Sequence, residues 1–313
     1  MPYVALDAGP LNGPIREARD AAAADRWAAL LLLRPDLQPA VALQHELLGL
    51  VSNLAELIDR GRLPRLSLPP RYLAAKLRRG VPALAGEPIP LPVPVLKPAL
   101  LALCGALAAG GAGAAAEHIR THLNETRIDA GALLAASLKR DQTAIRTVAA
   151  HQGLAADLVW LVAELAVSPF VYVLRRSVLG PESTSPELHA ALDAWGHGYC
   201  PLCGSWPALA EVVATHRVLR CSFCALAWAP NEYACVYCHE HGEKFVTAAP
   251  NEERKDRRLE VCGACGAYLK TIDVPALTPF PLLAISDLET MDLDMAAMER
   301  GYGRPALKDF GRK

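Results

Sequence analysis

The sequence predicts a mainly α N-terminal domain, then a small metal-stabilised β module with two four-cysteine knuckle sites, then a short C-terminal helix. Three observations predict it. Helical periodicity runs from about Pro14 to Pro186. Eight of the nine cysteines fall between Cys200 and Cys265, all in Cys-x-x-Cys pairs. Beyond Pro275 an acidic segment alternates Asp287, Glu289, Asp292 and Asp294 with Leu288, Met291, Leu293, Met295 and Met298. The expected domains are residues 1–186, 187–275 and 276–313.

The helical part is punctuated by proline and glycine. Arg16 to Arg34 is rich in Ala and Leu and stops at Pro35. Asp36 starts the next segment, which ends at Gly61 and Pro64. Later helices are expected over Leu68–Arg79, Lys97–Ala109, Ala114–Asn124, Asp129–Lys139, Gln142–His151 and Ala155–Val178, the last interrupted at Pro169. Pro88, Pro90, Pro92 and Pro94 alternate with apolar residues and read as an extended connector. Pro98 to Ala116 has no charged residue, but Gly110, Gly111 and Gly113 break it, so a buried helix is expected rather than a membrane span. The start, Met1 to Asp7, has no basic leader or apolar run of the signal-peptide kind. A cytoplasmic, reducing setting is therefore expected, where thiolates persist as metal ligands. A second break spans Gly180–Pro186, followed by a short helix from Glu187 to Trp195.

In the 313-residue chain the formal net charge is −1. Nine of the eighteen aromatic residues lie within Trp195–Pro275, as a thin core around metal sites requires. A Cys-x-x-Cys turn aims two thiolates at one point, and two turns supply a tetrahedral site. The pairs are Cys200/Cys203, Cys221/Cys224, Cys235/Cys238 and Cys262/Cys265, separated in turn by 17, 10 and 23 residues. Sequential pairing makes each closed loop a ribbon and is preferred, although an interleaved cross-brace fits the same separations. Four pairs in so short a span disfavour a thioredoxin-like redox pair, and a reducing setting disfavours a disulfide framework. Iron and zinc both accept four sulfurs, so spacing does not name the ion. Gly204 and Gly266 follow two of the turns and tolerate positive φ; Ala225 and His239 follow the other two and are less suited.

Charge argues against nucleic acid. Trp195–Pro275 holds eight Lys/Arg against nine Asp/Glu, and two four-cysteine sites with divalent ions bring the module to −5. The run Arg254-Lys255-Asp256-Arg257-Arg258 is expected to offset thiolate charge. His118 and His122 stand four apart on a helix, but without a catalytic Glu motif they read as a solvated face. His239 and His241 are expected in polar roles beside Cys238. Tyr199, Phe223 and Tyr237 read as core, and Cys104 as a buried apolar thiol.

The run Trp195-Gly196-His197-Gly198-Tyr199-Cys200-Pro201-Leu202-Cys203-Gly204-Ser205-Trp206-Pro207 resembles the signature of the formate dehydrogenase accessory protein FdhE family. Arg220-Cys221-Ser222-Phe223-Cys224 with Trp228, Cys235-Val236-Tyr237-Cys238, and Cys262-Gly263-Ala264-Cys265-Gly266-Ala267-Tyr268-Leu269-Lys270 agree with it, as does the acidic tail. The likeness covers nearly the whole chain and is most specific over Trp195–Lys270. It implies a cytoplasmic, non-enzymatic maturation factor, acting post-translationally. Such a factor binds the catalytic (alpha) subunit of respiratory formate dehydrogenase, which needs it to become active. It also implies iron at rubredoxin-like or zinc-ribbon-like sites, ligated by the eight paired cysteines, with zinc as the other candidate ion. Neither nucleic-acid binding nor membrane insertion is expected. The alternative function is rubredoxin-like electron transfer or redox sensing; a nucleic-acid-binding zinc ribbon ranks behind it.

Overall fold

The structure, a computed structural model, describes residues 4–5, 14–61, 66, 68–180, 185–249 and 254–307. Pro64 and the Pro181–Thr184 part of the expected break lie outside them. Chain contacts divide the protein into two units. One comprises Ala8–Leu66 and Gly86–Leu174; the other comprises Met1–Asp7, Ser67–Ala85 and Arg175–Lys313.

The first unit is helical. It contains α1 (Pro14–Leu33) and α2 (Gln38–Arg60), joined by a 3-10 turn at Pro35–Leu37. The second unit claims α3 (Pro70–Arg78). The first resumes with α4 (Val93–Leu107), α5 (Gly113–Asn124), α6 (Ala130–Leu138), α7 (Gln142–His151) and α8 (Ala156–Leu179) as far as Leu174. Asp129 and Asp141 cap α6 and α7, each accepting from a backbone N–H three residues on. Leu96, Leu100, Leu103 and Cys104 on α4 are almost wholly buried, as the apolar pattern requires. Burial also raises the Cys104 thiol to about 11, the mark of an inert core cysteine.

Three helical expectations are corrected. The proline connector ends at Pro92, because α4 starts at Val93 and takes Pro94 into its first turn, where no N–H is needed. Helix α8 runs unbroken through Pro169: the lost backbone hydrogen bond is outweighed by Val162, Ala163, Ala166, Val167, Phe170 and Val171, each at most 1% exposed. His122 is not on a solvated face. It is buried, with Nδ1 2.9 Å from the His118 carbonyl and its ring edge-on to that of His118.

Among the described residues, two stretches, Val93–Asn124 and Ala156–Leu179, are long and apolar enough to cross a membrane by length and composition. In the first, the helix is broken as expected: a π turn at Ala108–Ala112 carries Gly111 at φ 121°.

The second unit is built on a seven-stranded sheet. Its strands are β1 (Val4–Ala5), β2 (Pro207–Val213), β3 (His216–Cys221), β4 (Ala227–Trp228), β5 (Phe245–Ala248), β6 (Arg257–Cys262) and β7 (Ala267–Asp273). Their spatial order is β1-β4-β3-β2-β7-β6-β5. This order contains a repeat that the sequence does not display. One cysteine turn leads to β2 and β3, a second turn follows, and β4 returns beside β3. The later turns, β5, β6 and β7 trace the same path. The two three-stranded ribbons join where β2 and β7 run parallel, with Ala210 opposite Thr271 and Val212 opposite Asp273.

Helix α9 (Pro186–Asp193), capped by Ser185, precedes the sheet. Two helices follow it rather than one: α10 (Leu283–Glu289) and α11 (Met291–Glu299). Leu293 and Ala297 pack on Leu259 and Tyr268 of the sheet. The acidic residues are used in docking. Asp294 and Asp287 both lie 2.6 Å from the Nζ of fully buried Lys270, and Tyr268 donates to Asp294 at 2.7 Å.

Candidate metal centres

The eight paired cysteines are thiols rather than disulfides, gathered into two groups in sequential order. Cys200, Cys203, Cys221 and Cys224 form one; Cys235, Cys238, Cys262 and Cys265 form the other. Within each, the four sulfurs lie within 4.8 Å of one another. Close separations in the first are 3.6 Å for Cys200–Cys224, 3.4 Å for Cys203–Cys221 and 3.7 Å for Cys203–Cys224. In the second they are 3.7 Å for Cys235–Cys265 and 3.6 Å for Cys238–Cys262. A tetrahedron of sulfurs about 2.3 Å from its centre has edges of about 3.8 Å. The donor set therefore fits a thiophilic tetrahedral ion, and both groups could hold one.

The four turns share a backbone design. Cys200, Cys235 and Cys262 each accept at the carbonyl from the N–H four residues on, at 2.8–2.9 Å. The residue after the second cysteine of each turn is left-handed: Gly204 at φ 81°, Ala225 at 55°, His239 at 64° and Gly266 at 69°. Ala225 and His239 thus adopt the glycine conformation without being glycine, which strains an L residue. The chain bears this because the turn aims N–H groups at sulfur. Phe223 and Cys224 donate to Cys221 Sγ, both at 3.4 Å.

Burial raises the Cys200 and Cys224 thiols well above the ordinary value and lifts Cys265 to about 11. At Cys262, burial is outweighed by the N–H groups of Cys265 and Ala264, and the thiol is held below its ordinary value. A thiol raised in this way holds its proton until an ion binds, so metal binding at Cys200, Cys224 and Cys265 must expel it.

Residues that the sequence reading did not single out hold the first group in place. Arg220 and Glu211, both wholly buried, form an ion pair. Arg220 also donates to the carbonyls of Ala225 at 3.3 Å and Thr278 at 2.7 Å, and Glu211 accepts from the Thr278 N–H at 3.2 Å. Arg175 reaches the same Ala225 carbonyl at 3.4 Å. The only sequence signal was an arginine adjoining Cys221. Segment 68–85 forms a further support. Ala83 and Leu84 donate to the carbonyls of Pro201 and Leu202 at 2.8 and 2.9 Å, and Tyr199 Oη donates to Gly80 at 2.8 Å. These bonds tie α3 to the first cysteine turn.

The two centres touch through their flanks. Gly198 lies against the Val236 carbonyl so closely that a Cβ would collide with it. Trp206 and Tyr237 meet edge-on at 5.0 Å between ring centroids. Phe223 is core, as expected, and Tyr199 and Tyr237 anchor their hydroxyls on backbone carbonyls. His239 and His241 lie outside both sulfur groups. In the basic run, Arg258 pairs with Asp273, and Arg257 donates to the Glu289 carbonyl.

No family model matches the chain. It is 33% identical over 116 residues to a protein named FdhE homolog from Haemophilus influenzae, covering 36% of this chain and 38% of that one. A protein FdhE homolog from Aquifex aeolicus is 30% identical over 118 residues, covering 35% and 40%. Protein FdhE of Escherichia coli O127:H6 is 29% identical over 116 residues, covering 36% and 37%. The matches thus span at most 40% of the length of these relatives. The crystal structure of the FdhE protein from Pseudomonas aeruginosa shares the fold with a TM-score of 0.57 at 22% identity, covering 98% of this chain and 97% of that one. The sequence matches thus tie about a third of this chain to FdhE proteins, and the Pseudomonas aeruginosa FdhE structure shows that the fold is shared over nearly its whole length.

Proposed function

We propose that the chain is an accessory protein of formate dehydrogenase, acting in the cytoplasm after the enzyme's polypeptide has been made. In this reading it binds the catalytic subunit and is not itself a catalyst. The observation that carries the proposal is the likeness to FdhE proteins, in a chain with two four-cysteine groups. The eight cysteines would ligate two ions, iron by family resemblance or zinc by donor chemistry. When bound, each ion would crosslink two turns of one ribbon. The chain's own residues do the rest: Arg220, Glu211 and Arg175 fix the first pair of turns, and Lys270 and Asp294 dock the terminal helices.

The test is anaerobic affinity purification of the tagged chain from a native extract. Enrichment of the formate dehydrogenase catalytic subunit is expected. Deleting the gene should abolish formate-dependent dye reduction while leaving the amount of that subunit unchanged. Absence of enrichment, or full activity in the deletion strain, would refute the proposal.

A further inference from the structure

The two sulfur groups have the same ribbon plan but unlike surroundings. In the first, Cys200, Cys221 and Cys224 are fully buried and Cys203 is 7% exposed. The residues between its cysteines are Pro201-Leu202 and Ser222-Phe223, and Leu202 and Phe223 are sealed in the core. Trp195, Tyr199 and Trp228 are buried in the same unit. In the second, Cys235 and Cys262 are buried but Cys238 and Cys265 are exposed. Only Gly263-Ala264 separates Cys262 from Cys265, and those two residues, Gly266 and His239 are all exposed. No side chain within that turn is large enough to cover a sulfur.

We infer that the group formed by Cys235, Cys238, Cys262 and Cys265 is an exchangeable metal site, open to small soluble thiols and similar soft ligands. The Cys200 group is a sealed structural site. The difference is one of access. To remove an ion, an incoming thiolate must reach it and form a new metal–sulfur bond as one metal–cysteine bond breaks. At the second group the first cysteines to leave are Cys238 and Cys265, whose freed thiolates take protons from solvent. Repetition transfers the ion to the external ligand with no change of oxidation state. At the first group the approach is closed by packed side chains, so the same exchange must wait for local unfolding. The inference holds whichever protein the chain serves, since it rests on burial alone.

The test uses the intact chain loaded with two equivalents of zinc. Excess 4-(2-pyridylazo)resorcinol is added and zinc release is followed by absorbance. One equivalent should leave quickly and the second more slowly, by about tenfold or more. Iodoacetamide added at the end of the fast phase, followed by peptide mass mapping, should label Cys235, Cys238, Cys262 and Cys265 and spare Cys200, Cys203, Cys221 and Cys224. Release of both equivalents in one phase would overturn the inference. So would labelling of Cys200, Cys203, Cys221 or Cys224 in the fast phase.

Discussion

His239 offers a clean test of the turn geometry, because it is exposed and left-handed at φ 64°. An L residue in that region costs about 1–2 kcal/mol. Replacement by glycine removes the strain but adds unfolded-chain entropy worth about 0.4–1 kcal/mol. His239→Gly should therefore stabilise the sheet unit by about 0.5–1 kcal/mol. Ala225→Gly relieves the same strain at φ 55° but removes a buried methyl worth about 0.8 kcal/mol, so its net effect should be near zero. Gly266→Ala is the reverse case. Its Cβ would meet nothing within 4 Å, so the net cost is the backbone strain less the entropy removed from the unfolded chain, about 0.5–1 kcal/mol. The assay is urea unfolding at saturating zinc, read from tryptophan fluorescence, since Trp195, Trp206 and Trp228 all lie in this unit. His239→Ala keeps the strain and removes the ring, and so separates the two effects. If His239→Gly is no more stable than His239→Ala, the strain argument is wrong.

Four further outcomes are expected. Arg220→Ala leaves Glu211 charged and buried, and should cost about 3–5 kcal/mol in the same unfolding assay. Arg220→Met combined with Glu211→Leu should recover most of that loss. Gly198→Ala drives a methyl into the Val236 carbonyl and should lower zinc content at both groups by elemental analysis. Cys200→Ala with Cys203→Ala should remove one zinc equivalent and leave the other, whereas loss or retention of both would contradict the observed grouping. Burial alone would raise the Asp294 carboxyl, but the hydrogen bond from Lys270 outweighs it and holds the group below its ordinary value. Its stabilising contribution is thus complete above the ordinary carboxylate pKa and is lost as pH falls through the depressed value. Hydrogen exchange in α10 and α11 should quicken over that acid range, and Asp294→Asn should flatten the dependence.

The cysteine turns and most helices were legible because their signals are local. A Cys-x-x-Cys pair carries its own geometry, and an Asp before Ala130 or Gln142 announces a helix start. The strand order was not legible. The parallel contact of β2 with β7 joins residues some sixty positions apart, as in Ala210 opposite Thr271, and no periodicity encodes it. Nor does the pattern of residues 68–85 say that they belong with a turn at Pro201–Leu202. Buried charges were missed for a related reason. Charged side chains are buried only beside a partner, and the partners of Arg220, Glu211 and Lys270 are seen only in the folded chain.

These pairings bear on what the unit can recognise. Of its basic residues, Arg217 is bound to Glu260, Arg220 to Glu211, Arg258 to Asp273 and Lys270 to Asp294. Each spends its charge on a carboxylate of the same unit. With two divalent ions bound, eight thiolates would leave four further negative charges uncompensated. A phosphate backbone needs free cations in a row. Here those four cations hold strands and a terminal helix together, so metal loading adds negative charge to the unit without releasing any of them.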